Sequence, residues 1–270
     1  MCKTSLLEDV PYRTNADVLQ RMDVLLPDVP NGKAVFYIHG GGWYDGDKTA
    51  WRETARYMCE HGYVCASINY RLTANGDAYP SQIEDARHAM AFFRSKANEY
   101  RFDPARIAAA GSSAGGHLAA MLATIAPDDD VGVTPELLTR HTRPNAVVTY
   151  STVFTVMPLP DDKPPPDNLD FYVNKAMGGT FEEVPEVYKI MSPIERLDRD
   201  TPPFFIIHGV NDDTVPVGRA IMFKRYMDAT RLSATLELME DAPHGFCYGM
   251  ETAIQQQAAA RALAFLEKTL

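Results

Sequence analysis

The segment RIAAAGSSAGGHLAA (residues 106–120) reads as a short apolar strand, RIAAAG, running without a linker into a glycine-rich turn and then into the helix AGGHLAAMLATIA. Gly111, Ser112, Ser113, Ala114 and Gly115 give the pattern GxSxG with Ser113 at its centre. A reversal this sharp between strand and helix forces the central residue into strained backbone geometry. Glycines two positions either side remove the Cβ atoms that would clash, and the Ser113 hydroxyl is left exposed at the tip. With Gly and Ser each near ~7% of residues, such a pattern arises by chance about one time in ten in a chain this long. The turn therefore needs its context.

Working outward, the chain alternates β-rich runs with helical patterns. AVFYIH (34–39), YVCASIN (63–69), NAVVTYS (145–151), PFFIIHG (203–209) and ATLELM (234–239) read as strands. Helices are expected over 49–60, after Pro80, over 218–230 and over 252–268; after Pro80 the residues Ile83, Ala86, Met90, Phe93 and Ala97 share one face at helical spacing. Strands alternating with helices imply right-handed βαβ units, hence a mainly parallel central sheet with helices on both faces. RMDVLLP (21–27), separated from the next strand only by DVPNGK, suits an antiparallel hairpin at the sheet's edge. The 270 residues fit one such domain, 1–270, interrupted by an insert at about 152–192 that is Pro-rich first and weakly helical later. Loops of that length are uncommon without a function, so the insert is expected to form a lid or pocket wall.

The HGGG run, His39 to Gly42, directly follows the first parallel strand and is followed by Trp43. Glycines at a strand's end let backbone N–H groups point into a site without obstruction, as stabilising a developing oxyanion requires. Gly41, Gly42 and the Ala114 N–H after the serine are the expected donors. A chance HGGG is far rarer than a chance GxSxG, below about one in a hundred by the same frequencies.

A serine hydroxyl is a poor nucleophile unless a histidine, held in one tautomer by a carboxylate, takes its proton. In a strand–elbow–helix sheet these follow the serine in the order acid, then histidine. His208 and His244 are the histidines after the insert. His208 falls in a strand and is expected to end it, whereas His244 lies in the loop DAPHGF after the last strand and can swing back over the elbow. VNDDTVPV offers Asp212 and Asp213 as the acid. His39, His61, His88, His117 and His141 all precede that acid and are expected to be structural.

Taken together, HGGGW, NYRL (69–72), GSSAGGHLAA, HGVNDDTVPV and PHGF resemble the α/β-hydrolase esterase and lipase family, closest to the compact bacterial feruloyl and acetyl xylan esterases. The resemblance implies an α/β-hydrolase fold and hydrolysis of short acyl or aryl-acyl esters through an acyl-serine intermediate. It also separates the two acids, since in relatives the acid precedes a Val by three and a Pro by four; Asp212 has that spacing and Asp213 does not. Asp47 and Asp85 are implied to be structural. Relatives similar to hormone-sensitive lipase carry a helical cap before HGGG, whereas 38 residues precede it here, implying an open cleft walled by Trp43, Tyr44 and insert residues such as Phe154, Met157, Phe171 and Tyr172. A similar fold and glycine loop also serve kynurenine formamidase, so an amide or formamide hydrolase is the alternative. A catalytically inactive binding relative is a third reading, disfavoured because such proteins usually lose a triad member.

Composition is ordinary, 46% apolar and 23% charged, and excludes disordered or fibrous classes. A net charge of −10 argues against a nucleic-acid partner. No apolar run approaches the roughly 18 residues of a membrane span, and the first residues, MCKTSLLEDVPYRT, lack an apolar core of signal-peptide length. Cys2, Cys59, Cys65 and Cys247 match neither a metal site nor a disulfide framework. No metal or cofactor is expected; the expected partner is a small-molecule or saccharide-linked ester.

Overall fold

A computed structural model describes residues 3–13, 19–159 and 169–270. In chain order the elements are β1 (Thr4–Pro11), β2 (Arg21–Pro27), β3 (Gly32–Ile38), α1 (Arg52–Glu60), β4 (Val64–Ile68), α2 (Ser81–Ser95), α3 (Ala97–Tyr100), β5 (Phe102–Ser112) and α4 (Ala114–Thr124). They continue as β6 (Ala146–Tyr150), α5 (Leu169–Met177), α6 (Pro185–Ile190), β7 (Phe204–Gly209), α7 (Gly218–Ala229), β8 (Ala234–Met239) and α8 (Ala253–Thr269). The strands form one eight-stranded sheet in the order β1-β2-β4-β3-β5-β6-β7-β8. From β4 to β8 every neighbouring pair is parallel.

Alternation along the central strands divides the core in two. Phe36, Ile38, Ala109, Val147, Phe204 and Ile206 face α2, α4 and α7, where Met90, Phe93, Leu118 and Phe223 complete that layer. Val35, Tyr37, Ala108, Val148, Phe205 and Ile207 face α1 and α8, meeting Met58, Cys59, Leu263 and Leu266. Both faces of these strands are therefore apolar, as a sheet covered on both sides requires. α8 begins at a capping box, in which Thr252 Oγ1 accepts from the Gln255 N–H while the Gln255 side chain accepts from the Thr252 N–H.

The expected edge hairpin is corrected. β2 does not pair with β3; it pairs antiparallel with β1 on one side and with β4 on the other. Met22, Val24 and Leu25 are buried, β1 and β4 supply hydrogen-bonding partners along the two edges of β2, and the sheet's edge falls to the largely exposed β1. The first turns of the helix expected over 49–60 are a tight 3₁₀ segment, Lys48–Trp51, capped by the Asp47 carboxylate. Ala97, expected at the end of the long helix, lies in the separate short α3.

Within the insert, α5 and α6 are helical, and a 3₁₀ turn, Pro193–Arg196, follows it. Its Pro-rich portion over 160–168 lies outside the described residues. His117, buried in α4, reaches the Met191 carbonyl at 2.6 Å from its Nε2 and so ties the insert to the helix behind the elbow. Burial lowers its pKa to about 4, which keeps this imidazole neutral.

Candidate active site

Ser113 sits between β5 and α4 with φ 53° and ψ −122°, outside the regions an ordinary side chain adopts. Its backbone N–H donates to the Tyr150 carbonyl of β6 at 2.9 Å, and its carbonyl accepts from the His117 N–H at 2.9 Å, so strand and helix both hold the turn. A Cβ on Gly111 would fall on the Gly115 carbonyl, and one on Gly115 would fall on the carbonyls of Ile38 and His39. The elbow can thus close, and lie against β3, only with glycine at both positions.

The loop after β3 turns through three consecutive positive φ values at Gly41, Gly42 and Trp43. The Gly41 carbonyl closes the turn by accepting the N–H groups of Tyr44 and Asp45, both at 3.0 Å. Among the described residues the N–H groups of Gly41 and Gly42 meet no protein acceptor. The Ala114 N–H opens α4 and so has no acceptor within its own helix. His39 braces the loop: its Nδ1 lies 2.7 Å from the Gly40 carbonyl and its ring stacks on Tyr70 at 4.4 Å. Burial lowers its pKa to about 4.

The loops after β7 and β8 bring Asp212 and His244 together. His244 Nδ1 lies 3.0 Å from each carboxylate oxygen of Asp212. Because an ionised carboxylate only accepts, this Nδ1 carries the proton and donates, leaving Nε2 free to accept. Asp212 Oδ1 also accepts from the N–H groups of Thr214 at 3.0 Å and Val215 at 2.8 Å. Burial alone would push this carboxyl upward, but the hydrogen bond from His244, the adjoining Ser151 hydroxyl, the Val215 N–H and the imidazole charge together bring its pKa down to about 2. Asp213 is exposed, and among the described residues its carboxylate accepts only from the Thr214 hydroxyl, at 3.2 Å. The resemblance favoured Asp212 over Asp213, and His244 pairs with Asp212.

His208 ends β7, fully buried, with Nε2 2.9 Å from the Val215 carbonyl and 3.6 Å from Asp212 Oδ2. It therefore braces the Asp212 loop from behind, and burial lowers its pKa.

Ser113, His244, Gly41 and Gly42 line one cavity of about 590 Å³. Trp43 lines it too, held edge-on by His117 at 5.1 Å. Tyr44, expected as a wall, does not line it; its ring packs with Phe171 at 5.9 Å and Tyr172 at 5.8 Å. Phe154 is corrected: it is fully buried, stacked on Phe223 at 4.0 Å, and belongs to the core. Hydrophobicity alone does not say which side of a loop an aromatic ring will take. Val153, Leu169, Thr214 and Asp45, none of them named as site residues from the sequence, complete the wall. Tyr172, one of the insert aromatics expected to wall the cleft, does line it, and its ring packs directly on the glycine loop, where a Cβ on Gly42 would meet it at 2.8 Å.

The architecture is that of the α/β-hydrolases. A truncated carbohydrate esterase from gut microbiota superposes with a TM-score of 0.84, covering 98% of this chain and 96% of that one at 24% identity. Esterase 2 of Thermogutta terrifontis, phosphonylated by sarin, superposes with a TM-score of 0.81 over 99% of this chain and 94% of that one, again at 24% identity. The profile of the BD-FAE family matches residues 22–227, and the chain belongs to that family. In sequence it is 32% identical over 205 residues to a probable carboxylic ester hydrolase of Mycobacterium tuberculosis, LipM, a match spanning 76% of this chain and 46% of that protein. The chain spans about half the length of the curated relatives it matches.

Proposed function

We propose that the chain is a serine carboxylic-ester hydrolase with Ser113 as nucleophile, His244 as general base and Asp212 as the acid that orients it. The observation that carries this reading is the Asp212–His244 pair, 3.0 Å apart, with His244 lining one cleft together with a serine on a strained elbow. His244 Nε2 takes the Ser113 proton as Oγ bonds to the ester carbon, and the carbonyl electrons move onto the oxygen. The N–H groups of Gly41, Gly42 and Ala114 receive that oxyanion. Collapse breaks the carbon–alkoxy bond, His244 returns the proton to the departing alcohol, and acyl-Ser113 remains. Water, deprotonated by the same imidazole, then releases the carboxylic acid and restores the serine.

Short acyl and aryl-acyl groups, of acetyl and feruloyl type, are the substrates this cleft suits. Trp43, Val153, Leu169 and Tyr172 give it apolar walls. The mycobacterial relatives carry the names of ester hydrolases, which favours the same chemistry.

The test is covalent labelling. A fluorophosphonate should modify Ser113 and abolish hydrolysis of p-nitrophenyl acetate, while Ser112, almost wholly buried, stays unmodified. An adduct mapped to Ser112, or full esterase activity in Ser113→Ala, would sink the assignment. N-formylkynurenine cleaved with a higher kcat/KM than any ester would move the chain to the amide hydrolases.

A further inference from the structure

The loop that carries His244 and the loop that carries the glycines come from different strands, β8 and β3, yet one side chain joins them. Tyr248, four residues beyond His244, accepts the backbone N–H of Gly40 on its hydroxyl oxygen at 2.7 Å. That N–H lies immediately before Gly41 and Gly42. A Cβ on Gly40 would stand 2.9 Å from the Tyr248 hydroxyl, 2.9 Å from the Ser112 carbonyl and 3.3 Å from the Ser113 Cβ, so three loops converge at this point. The Ser112 side chain adjoins the same phenol.

The other end of Tyr248 is fixed independently. Its ring meets Trp51 edge-on at 4.8 Å, and the Trp51 indole N–H donates to the Ile38 carbonyl at 2.9 Å. The backbone around it is held from two helices: the Thr54 hydroxyl of α1 donates to the Cys247 carbonyl at 3.1 Å, and the Gln255 amide of α8 donates to the Tyr248 carbonyl. A side chain rooted in this way has no reason from packing alone to end in a hydroxyl. Phenylalanine would fill the same volume against Trp51 and would leave the buried Gly40 N–H without an acceptor, free to seek one by turning the peptide.

We infer that Tyr248 is a positioning residue, whose hydroxyl fixes the Gly40 peptide so that the Gly41 and Gly42 N–H groups stay aimed at the developing oxyanion while the histidine loop keeps its place over Ser113. This rests on the reading of Ser113, His244 and the glycine loop proposed above. Donors that act on the oxyanion matter in the transition state more than in substrate binding, so the consequence falls on kcat.

Tyr248→Phe is the test, with kcat expressed per active site titrated by the fluorophosphonate. The expected result is a fall in kcat of about 10- to 100-fold on p-nitrophenyl acetate, by analogy with removal of one oxyanion donor at partial strength, with KM within about twofold. The second-order rate of Ser113 phosphonylation should fall in parallel, because that reaction builds charge on the same oxygen. A role confined to stability would instead lower Tm and the titratable fraction while leaving kcat per site unchanged, and that outcome overturns the inference. Incorporation of 3,5-difluorotyrosine at position 248, which keeps the hydroxyl but weakens it as an acceptor, should give an intermediate kcat; a value equal to that of the native chain would also overturn it. Absence of any Ser113 adduct in the native chain would defeat the underlying functional reading, and is distinguishable from both.

Discussion

At the scale of single residues the proposed acid is the sharpest case. Asp212 and Asp213 are chemically identical neighbours, but one carboxylate is buried against His244 and two backbone N–H groups and the other faces solvent. Asp212→Asn should leave the fold intact and lower kcat by about 10⁴, because an amide that can donate favours the wrong imidazole tautomer. Asp213→Asn should cost less than about threefold, as expected of a surface change outside any network. Steady-state kinetics of the two variants side by side check this, and reversed losses would hand the role to Asp213. Much of the candidate site was legible at this scale because its signals are local: GxSxG and HGGG each fit within five residues. Tyr248 was not legible, since its hydroxyl finds Gly40 across 208 positions of sequence. Phe154 was misread because an aromatic ring in a loop carries no mark of whether it turns toward the cleft or the core.

Among the elements, α5 has the most direct bearing on substrate choice. It sets Leu169 and Tyr172 into the cleft and lays the Tyr172 ring on Gly42, with Tyr44 and Phe171 packed around it. Stacking of one further ring against such a cluster is worth about 0.5–1.5 kcal/mol. Tyr172→Ala should therefore lower kcat/KM for feruloyl esters by about 3- to 10-fold while acetyl esters change less. Along an aliphatic series each added CH₂ returns about 0.8 kcal/mol only where it is buried. Acetyl to butyryl p-nitrophenyl esters should be cleaved best, with kcat/KM falling beyond about six carbons; a maximum at laurate or palmitate would mean that a true tunnel exists. Element types were readable from hydrophobic period nearly throughout, and β8 falls on 234–239 as expected. β1 escaped notice because TSLLEDVP is exposed along most of its length and offers no alternation to read. The pairing of β2 was misassigned because a short linker suggests a hairpin, whereas β3 takes both of its partners, β4 and β5, from later in the chain.

For the molecule as a whole, the buried titratable groups set a direction for stability against pH. His39 and His117 are held neutral in the fold, with pKa values lowered from 6.5 to about 4. The unfolded chain binds protons at these sites below pH 6.5 that the folded chain binds only below about 4. Stability is therefore lost as pH falls across that window, by up to about 1.4 kcal/mol per pH unit for each proton. Asp212, lowered from 3.8 to about 2, extends the loss from about pH 4 downward by the same sign. Chemical denaturation followed from pH 7 to pH 4 should show this slope, and His117→Asn should flatten it by about one proton; an unchanged slope would show that this imidazole is not held neutral in the fold.

The parallel strands deliver their loops to one rim. Gly41 follows β3, Ser113 follows β5, Asp212 follows β7 and His244 follows β8. The opposite rim, where the chain enters these strands, holds none of them, and its turn between β2 and β3 presents Val29 at 74% exposure. A cysteine introduced in that turn offers a point of attachment to a bead or electrode from which the catalytic mouth faces the bulk solution, so that immobilisation leaves the path of an arriving ester unobstructed.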